Sequence, residues 1–408
     1  MEDVEKKFIA DQRLKWYILS AKEEPDSTSW NLPVIFTYNK LDVKKLEYAI
    51  NKIVERHENL RSFFDIEDGV LYQIVEKKRV INVIEKKSPL PDNFSESFNM
   101  EKGESLRVYV YKKTVYLDFN HIFFDGVAIG IFFRELNEFY KGNELKNKIT
   151  PFEETIVPES KYKESEAFYR KIFSQKNLQA TVIKYDFEVE SESKAVKTLF
   201  RAVDISFMRA IKEAARINCV TPYHFTTAAF HILLSLLTNN KKVFSCTNMS
   251  ARNLTNLRNI GLYTTTIIMQ YDVVPEEKVK DFLKDVFLNN KEVYKYQNVK
   301  TNDILNDMGL KFDDITNIGF VYQNEMISNI LLNDEECDVK TTAHSESPYD
   351  LVLSFFARKT VSYIQITYMC KYYKKETIET FIDNYIKILK IMISQPDIKI
   401  ADLFKLIK

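Results

Sequence analysis

Apolar residues recur along this chain with two spacings that take turns from one end to the other. Asn31–Tyr38 (NLPVIFTY) is dense in β-branched and aromatic residues and reads as a strand. Directly after it, Val43, Leu46, Ile50, Ile53 and Val54 fall at helical spacing behind Asp42, a favourable N-cap, and the helix is expected to end near Arg56-His57-Glu58. Val70–Val75 reads as a strand entered through the turn Glu67-Asp68-Gly69. Leu106–Tyr111 and Val115–Asn120 read as a hairpin over Lys112-Lys113-Thr114. In its second strand Val115, Leu117 and Phe119 share one face, and Tyr116, Asp118 and Asn120 the other. A helix is expected to start at Asp125, with Ala128, Ile131, Phe132, Leu136 and Phe139 as its buried stripe and Gly142 as its C-terminal cap.

The second half repeats this style. Ser165–Phe173 and Ser206–Ile217 read as helices, and Thr221-Pro222 opens an apolar helix running to about Leu237. Strands are expected at Val243–Thr247, Ile260–Val274, Leu351–Phe356 and Tyr363–Tyr368, and a long amphipathic helix at Lys375–Ser394. The charged, weakly patterned stretch from Lys141 to about Lys163 reads as a connection. The expected organisation is therefore α+β, with an N-terminal lobe over 1–160 and a C-terminal lobe over 161–408, each holding a mixed sheet and helices. Length agrees, because single cores stop growing near about 250–300 residues and the chain has 408.

Charge narrows the function classes. Lys plus Arg and Asp plus Glu both total 58, so the basic excess of a nucleic-acid binder is missing. Cys219, Cys246, Cys337 and Cys370 form no C-x-x-C pair and have no His at ligand spacing, so neither a zinc site nor a disulfide framework is expected, and they read as buried small hydrophobes. The start is charged rather than apolar, and no run approaches a membrane span; a cytoplasmic protein without membrane contact is expected. No G-x-G-x-x-G, Walker loop or G-x-S-x-G occurs, which leaves out nucleotide cradles and a serine-hydrolase elbow.

One hexapeptide carries chemistry. His121-Ile122-Phe123-Phe124-Asp125-Gly126 places a histidine, an acid and a glycine between a strand and a helix, in a chain with only five His and eight Gly. A histidine's ordinary pKa of ~6.5 keeps a proton-accepting form at neutral pH. Asp125 is suited to an ion pair that holds the turn, provided an arginine lies opposite, and Gly126 to relief of backbone strain. The same residues also fit a satisfied, partly buried histidine beside a helix cap, and residue types alone leave both readings open. His57 at a helix end, His224 and His231 in an apolar helix and His344 in a polar loop read as structural.

Beyond the hexapeptide, Arg56-His57-Glu58-Asn59-Leu60-Arg61 matches R-H-E-x-L-R, and Ala10-Asp11-Gln12-Arg13-Leu14 is a degenerate A-Q-x-R-L. Asn120–Gly126 matches H-H-x-x-x-D-G with Asn120 in place of the first histidine. Ser250-Ala251-Arg252, Ile260–Thr266, Tyr296–Val299 and Tyr349-Asp350-Leu351 stand in order where S-G-R, I-G-x-F-V-N-T, H-Q-D-Y and F-D-L would stand. With these motifs the chain resembles the condensation domains of nonribosomal peptide synthetases, within the chloramphenicol acetyltransferase-like superfamily, over nearly its whole length.

The resemblance implies two chloramphenicol acetyltransferase-like lobes arranged as a V with a tunnel between them. It implies an acyltransferase that moves an acyl or aminoacyl group from a phosphopantetheine thioester to a small-molecule amine or alcohol, forming an amide or ester. The thioester is delivered by an acyl or peptidyl carrier protein, or by CoA; no permanently bound cofactor and no metal are implied. His121 would be catalytic, Asp125 would pair with Arg252, the Gly126 amide would face the oxyanion, Asn120 would belong to the active-site frame, and Thr264, Thr265 and Thr266 would line the tunnel. A free-standing, monomeric enzyme is expected, since no adenylation or carrier segment accompanies the match. The alternatives are an acyl-CoA-dependent acyltransferase of the same fold and a non-catalytic docking module.

Overall fold

Two units share the chain. The first consists of Met1–Pro158, Ser250–Thr264 and Met326–Ala343, the second of Glu159–Met249, Thr265–Glu325 and His344–Lys408. The computed structural model describes residues 3–175, 178–187, 193, 195–324, 330–340, 347, 349–357 and 361–407, and His344 lies outside them. The first passage between units falls at Pro158–Glu159. Two later segments then return to the first unit, so Arg252 and Thr264 belong with His121.

The first unit holds β1 (Val4–Ile9), α1 (Leu14–Glu23), β2 (Asn31–Thr37), α2 (Val43–Arg56), β3 (Ser62–Glu67), β4 (Val70–Glu76), β5 (Val83–Glu85), β6 (Leu106–Tyr111), β7 (Thr114–Asn120) and α3 (Gly126–Tyr140). The order β1-β4-β3 makes a small antiparallel sheet. A second, five-stranded sheet runs from the short strand Asp338–Lys340 through β2, β7 and β6 to β5, with β5 parallel to β6 and the other pairs antiparallel. The expected caps act as such. Asp42 accepts from the amides of Lys44 and Lys45, and Gly142 adopts φ +85° just beyond α3. Asp68 and Gly69 both have positive φ, as a two-residue hairpin turn demands.

The amphipathic faces of α2 and α3 close over β7 in one core that takes in Leu46, Ile50, Ile53, Leu117, Phe119, Phe132 and Leu136, all without exposure. As the central strand of five, β7 is covered on its other face too, where Tyr116 packs with Ile35 and Phe94. That leaves Asp118 sealed in. It accepts 2.7 Å from Asn31 Nδ2, whereas its cross-strand partner Arg107 directs its donors to Glu104 and to the Glu96 and Ser97 carbonyls. Burial therefore pushes the Asp118 carboxyl up to about 6, against the hydrogen bond from Asn31 that opposes the rise.

A raised carboxyl pKa means the folded state holds a proton that the unfolded chain releases. The stabilisation is full below the ordinary value of 3.8 and is lost as pH rises through about 6. Asp118→Asn is expected to flatten that slope and to stabilise the protein at pH 7 and above by about 3 kcal/mol. Urea titrations of both proteins from pH 4 to 8 check this; parallel pH profiles would refute it.

The second unit is built on a six-stranded mixed sheet. Its order is Thr264–Asp272, Lys242–Ser250, Ile318–Asn324, Leu351–Ala357, Ser362–Met369, Val196–Val203. Ile318–Asn324 is parallel to Lys242–Ser250 and to Leu351–Ala357, and the last two pairs are antiparallel. Helices Ile205–Ile217, Pro222–Thr238, Val279–Lys295 and Lys375–Ser394 contribute its core. Pro222–Thr238 starts with the expected Thr221 cap and is buried along most of its length, so it lacks a clear polar face. Two cysteines depart from the buried reading. Cys219 is exposed, in a left-handed turn after Ile205–Ile217, and Cys370 is half-buried; all four are free. Among the described residues no helix is long and apolar enough to cross a membrane.

Candidate active site

Five residues join β7 to α3 in a tight turn, with Phe123 N donating to Asn120 O at 2.9 Å and Phe124 N to His121 O at 3.3 Å. The three residues between His121 and Asp125 are its pegs. Ile122, Phe123 and Phe124 are all fully or nearly fully buried. Phe124 packs on Phe119 with ring centroids 4.7 Å apart, and Phe123 on Phe64 at 5.6 Å. Each buried aromatic contributes about 2–3 kcal/mol of transfer free energy. The H-x-x-x-D spacing thus leaves room for an apolar anchor that presents the histidine at one end and the acid at the other.

Asn120 seals the start of the turn. Its Nδ2 donates to Glu104 O at 2.9 Å and to Met100 Sδ at 3.4 Å, and its Oδ1 accepts from Ile122 N at 3.1 Å. All of this is framework, and an asparagine supplies both donor and acceptor. His121 extends the β2–β7 ladder by one residue. Asn31 and Asn120 are the last registered pair, and His121 N then donates to Trp30 O at 2.8 Å. The imidazole lies edge-on to the Trp30 ring with centroids 6.5 Å apart. The residue is half-buried, and Nδ1 is buried without a hydrogen-bond partner among the described residues.

Asp125 is wholly engaged elsewhere. As the N-cap of α3 its Oδ1 accepts from Ala128 N at 2.7 Å and from Arg252 Nη2 at 2.8 Å; Oδ2 accepts from Tyr263 N at 3.0 Å and Thr264 Oγ1 at 3.4 Å. No described hydrogen bond links it to His121. The Arg252 and Asp125 side chains are 4% and 1% exposed, so the pair is dry. Arg252 also donates to the carbonyls of Asn256, Asn259 and Gly261, and its guanidinium stacks 4.5 Å over the Tyr263 ring. A side chain on Gly261 would meet the rings of Tyr263 and Phe152 at 2.8 and 2.9 Å, which accounts for the glycine. Gly126 does a different job from the one expected. It is the first residue of α3 and lacks a positive φ, so it relieves no left-handed strain.

Ile260–Tyr263 departs from the strand expected over Ile260–Val274, because the strand begins only at Thr264. The backbone before it is claimed by side chains instead. Ile260 N donates to His57 Nδ1 at 3.3 Å, Gly261 O is held by Arg252, and Tyr263 N by Asp125. His57 in turn meets Glu135 Oε2 through Nε2 at 2.9 Å, and Arg56 donates to Glu135 Oε1 at 3.1 Å. Arg56 and His57 therefore tie the end of α2 to α3 and to the returning segment. His231 is structural in the second unit: it bonds Thr227 O and Ser245 Oγ at 2.8 Å each, and burial pushes it down to about 3. His224 closes the capping box of its helix.

The three threonines part company. Thr264 belongs to the first unit and Thr265 and Thr266 to the second. Thr265 is buried, with its hydroxyl toward Val299 O at 3.4 Å, and Thr266 donates to Asn248 Oδ1 at 3.0 Å. Several neighbours have no signal in the motifs: Glu135, the Tyr263 amide, and the aromatic group Trp16, Tyr17 and Trp30. Rarity is the available hint for the last, since the chain has two tryptophans and both are here.

Several known proteins match this chain along most of its length. A family model described as Condensation domain matches residues 12–406. Gramicidin S synthase 2 of Aneurinibacillus migulanus is 24% identical over 402 residues, covering 92% of this chain but 9% of the synthase, so the chain spans a small fraction of that relative. The condensation domain of the monacolin K polyketide synthase MokA superposes with a TM-score of 0.81 at 18% identity, over 98% of this chain and 100% of that one. A mutant of the starter condensation domain of rhizomide synthetase RzmA, in complex with C8-CoA, gives 0.77 at 13% identity, over 98% and 97%.

Proposed function

The chain belongs to the condensation domain family, and from that membership we propose that it transfers an acyl or aminoacyl group from a carrier-bound phosphopantetheine thioester to an amine or hydroxyl acceptor. The observation that carries this is the turn at 121–125. Its histidine makes no described side-chain hydrogen bond, while the side chains of Asn120 and Asp125 on either side are tied into the frame.

With Nδ1 sealed inside, Nε2 is the nitrogen left to meet a substrate. It accepts the proton of the acceptor N–H or O–H as that atom attacks the thioester carbon. The carbonyl π electrons move to oxygen. The Gly126 amide, at the N-terminus of the 15-residue α3 and used by no described hydrogen bond, supplies a donor for that oxyanion. The C–S bond then breaks, the carbonyl re-forms, and the departing thiolate takes the proton back from His121. The products are an amide or ester and a free phosphopantetheine thiol. Asp125 and Arg252 act as positioning residues that hold the turn.

A second reading, an acyl-CoA donor, is favoured by the C8-CoA held in the rhizomide synthetase domain. One assay separates the readings: a loaded carrier protein or an acyl-CoA is offered with a panel of amines and alcohols. Product from the carrier alone supports the proposal, and product from CoA alone moves the donor to the second reading. Carrier binding without any turnover would leave a docking module and overturn both.

A further inference from the structure

We infer that Trp16, Tyr17 and Trp30 form a selective wall beside His121 that takes an acceptor bearing a flat aromatic group on the carbon chain next to its amine. This rests on the reading of His121 as the base. The three rings pack edge to face, with centroids 5.1 Å (Trp16–Tyr17), 5.8 Å (Trp16–Trp30) and 5.0 Å (Tyr17–Trp30) apart and planes inclined by 76–90°. Such packing leaves no room between the rings, so they act as one surface rather than as an open cage. Trp30 brings that surface to the imidazole at 6.5 Å, close to where the nucleophile must sit.

Two further features favour this role over plain core packing. The surface is not closed over: Trp16 remains 41% exposed and Trp30 is half-buried. It is also rigidly held. The Trp30 carbonyl is bonded to His121 N, and α1 is anchored by the burial of Leu14 and Ile18 and, at its start, by Gln12 Nε2, which donates to Leu71 O at 3.2 Å. The local charge selects the kind of guest. A cation would be drawn to these ring faces by their quadrupoles, but the positive charge of Arg13 already lies near Tyr17 and opposes a second one. A neutral ring stacked on indole, with the amine in its uncharged, attacking form toward His121, matches that environment.

Both tryptophans belong to the wall, so their emission reports an occupant without any need for turnover. Phenethylamine is expected to give a saturable change in tryptophan fluorescence and to bind about tenfold more tightly than butylamine. Trp30→Ala and Trp16→Ala, each of which keeps one indole as reporter, are expected to erase that preference. Trp16→Ala changes an exposed position on α1 and serves if Trp30→Ala fails to fold. Equal affinity for the two amines, no fluorescence change, or a preference that survives both variants overturns the wall. If phenethylamine binds as expected but no donor ever acylates it, the wall stands and the catalytic reading falls. If His121-dependent acylation proceeds with equal kcat/KM for alkyl and aryl amines, the catalytic reading stands and the wall falls.

Discussion

His121→Ala is expected to lower acyl transfer by about 10²–10⁴-fold, the usual contribution of a positioned acid–base group, while leaving the melting temperature within a few degrees of the parent. The two halves of that expectation come from the same geometry. The imidazole makes no described hydrogen bond and touches the edge of Trp30, so removing it orphans no partner. The turn keeps its shape because Ile122, Phe123 and Phe124 stay buried and Asp125 keeps its four donors. Single-turnover rates with a loaded donor, set beside a thermal melt, measure both. A variant that turns over like the parent would remove His121 from the chemistry. One that is inactive because it is unfolded would mean that the imidazole is part of the frame. His121→Gln, close in size and unable to take the proton, is expected to behave as alanine does.

The opposite profile is expected at Asp125 and Arg252. Their ion pair is dry, and breaking such a pair by removing one partner costs about 3–5 kcal/mol because the other charge is left buried and unpaired. Asp125→Ala also removes the α3 cap and releases the Tyr263 amide. Arg252→Ala releases three carbonyls of the returning segment and the stack on Tyr263. Both variants are expected to lose stability first, and activity as the turn loosens. The double variant is expected to cost clearly less than the sum, since the second removal takes away a charge that the first had orphaned. Chemical denaturation of the two single variants and the double variant tests this. Strict additivity would refute a direct pair, and a single variant as stable as the parent would refute the buried cost. Set beside His121→Ala, the cycle separates the residue that acts from the residues that hold it in place.

How much of this is legible along the chain differs from element to element. Asp42, Gly142 and Thr221 declare their caps through residue type alone, and the helix over Lys375–Ser394 has the bounds that its periodicity predicts. The helix Leu14–Glu23 turns Leu14, Tyr17, Ile18 and Ala21 to the core at helical spacing, but the exposed Trp16 and Leu19 blur that stripe in the sequence. The strand expected from Ile260 starts only at Thr264. Pattern shows which backbone could pair with a strand, but not that His57, Arg252 and Asp125 claim it first. At Asp118 the alternation suggests a face opposite the core, and only the covering by Phe94 and its neighbours makes that face an interior.

The hairpin over Leu106–Asn120, the main amphipathic helices, the strand-to-helix turn that holds His121 and the motif that identifies the family are present in the residue order alone, whereas the strands Val196–Val203 and Ile318–Asn324 and the helix Val279–Lys295 are not among the elements it announces. The announced features depend on residues a few positions apart, whose spacing and backbone preferences act locally. What the turn's residues touch is set only by the folded chain. Arg252 reaches Asp125 across 127 positions of chain, and Trp30 and His121 meet because β2 and β7 pair in one register. Such contacts exist only once a whole core has formed to offset the entropy of closing long loops, and no local spacing encodes which distant partner arrives.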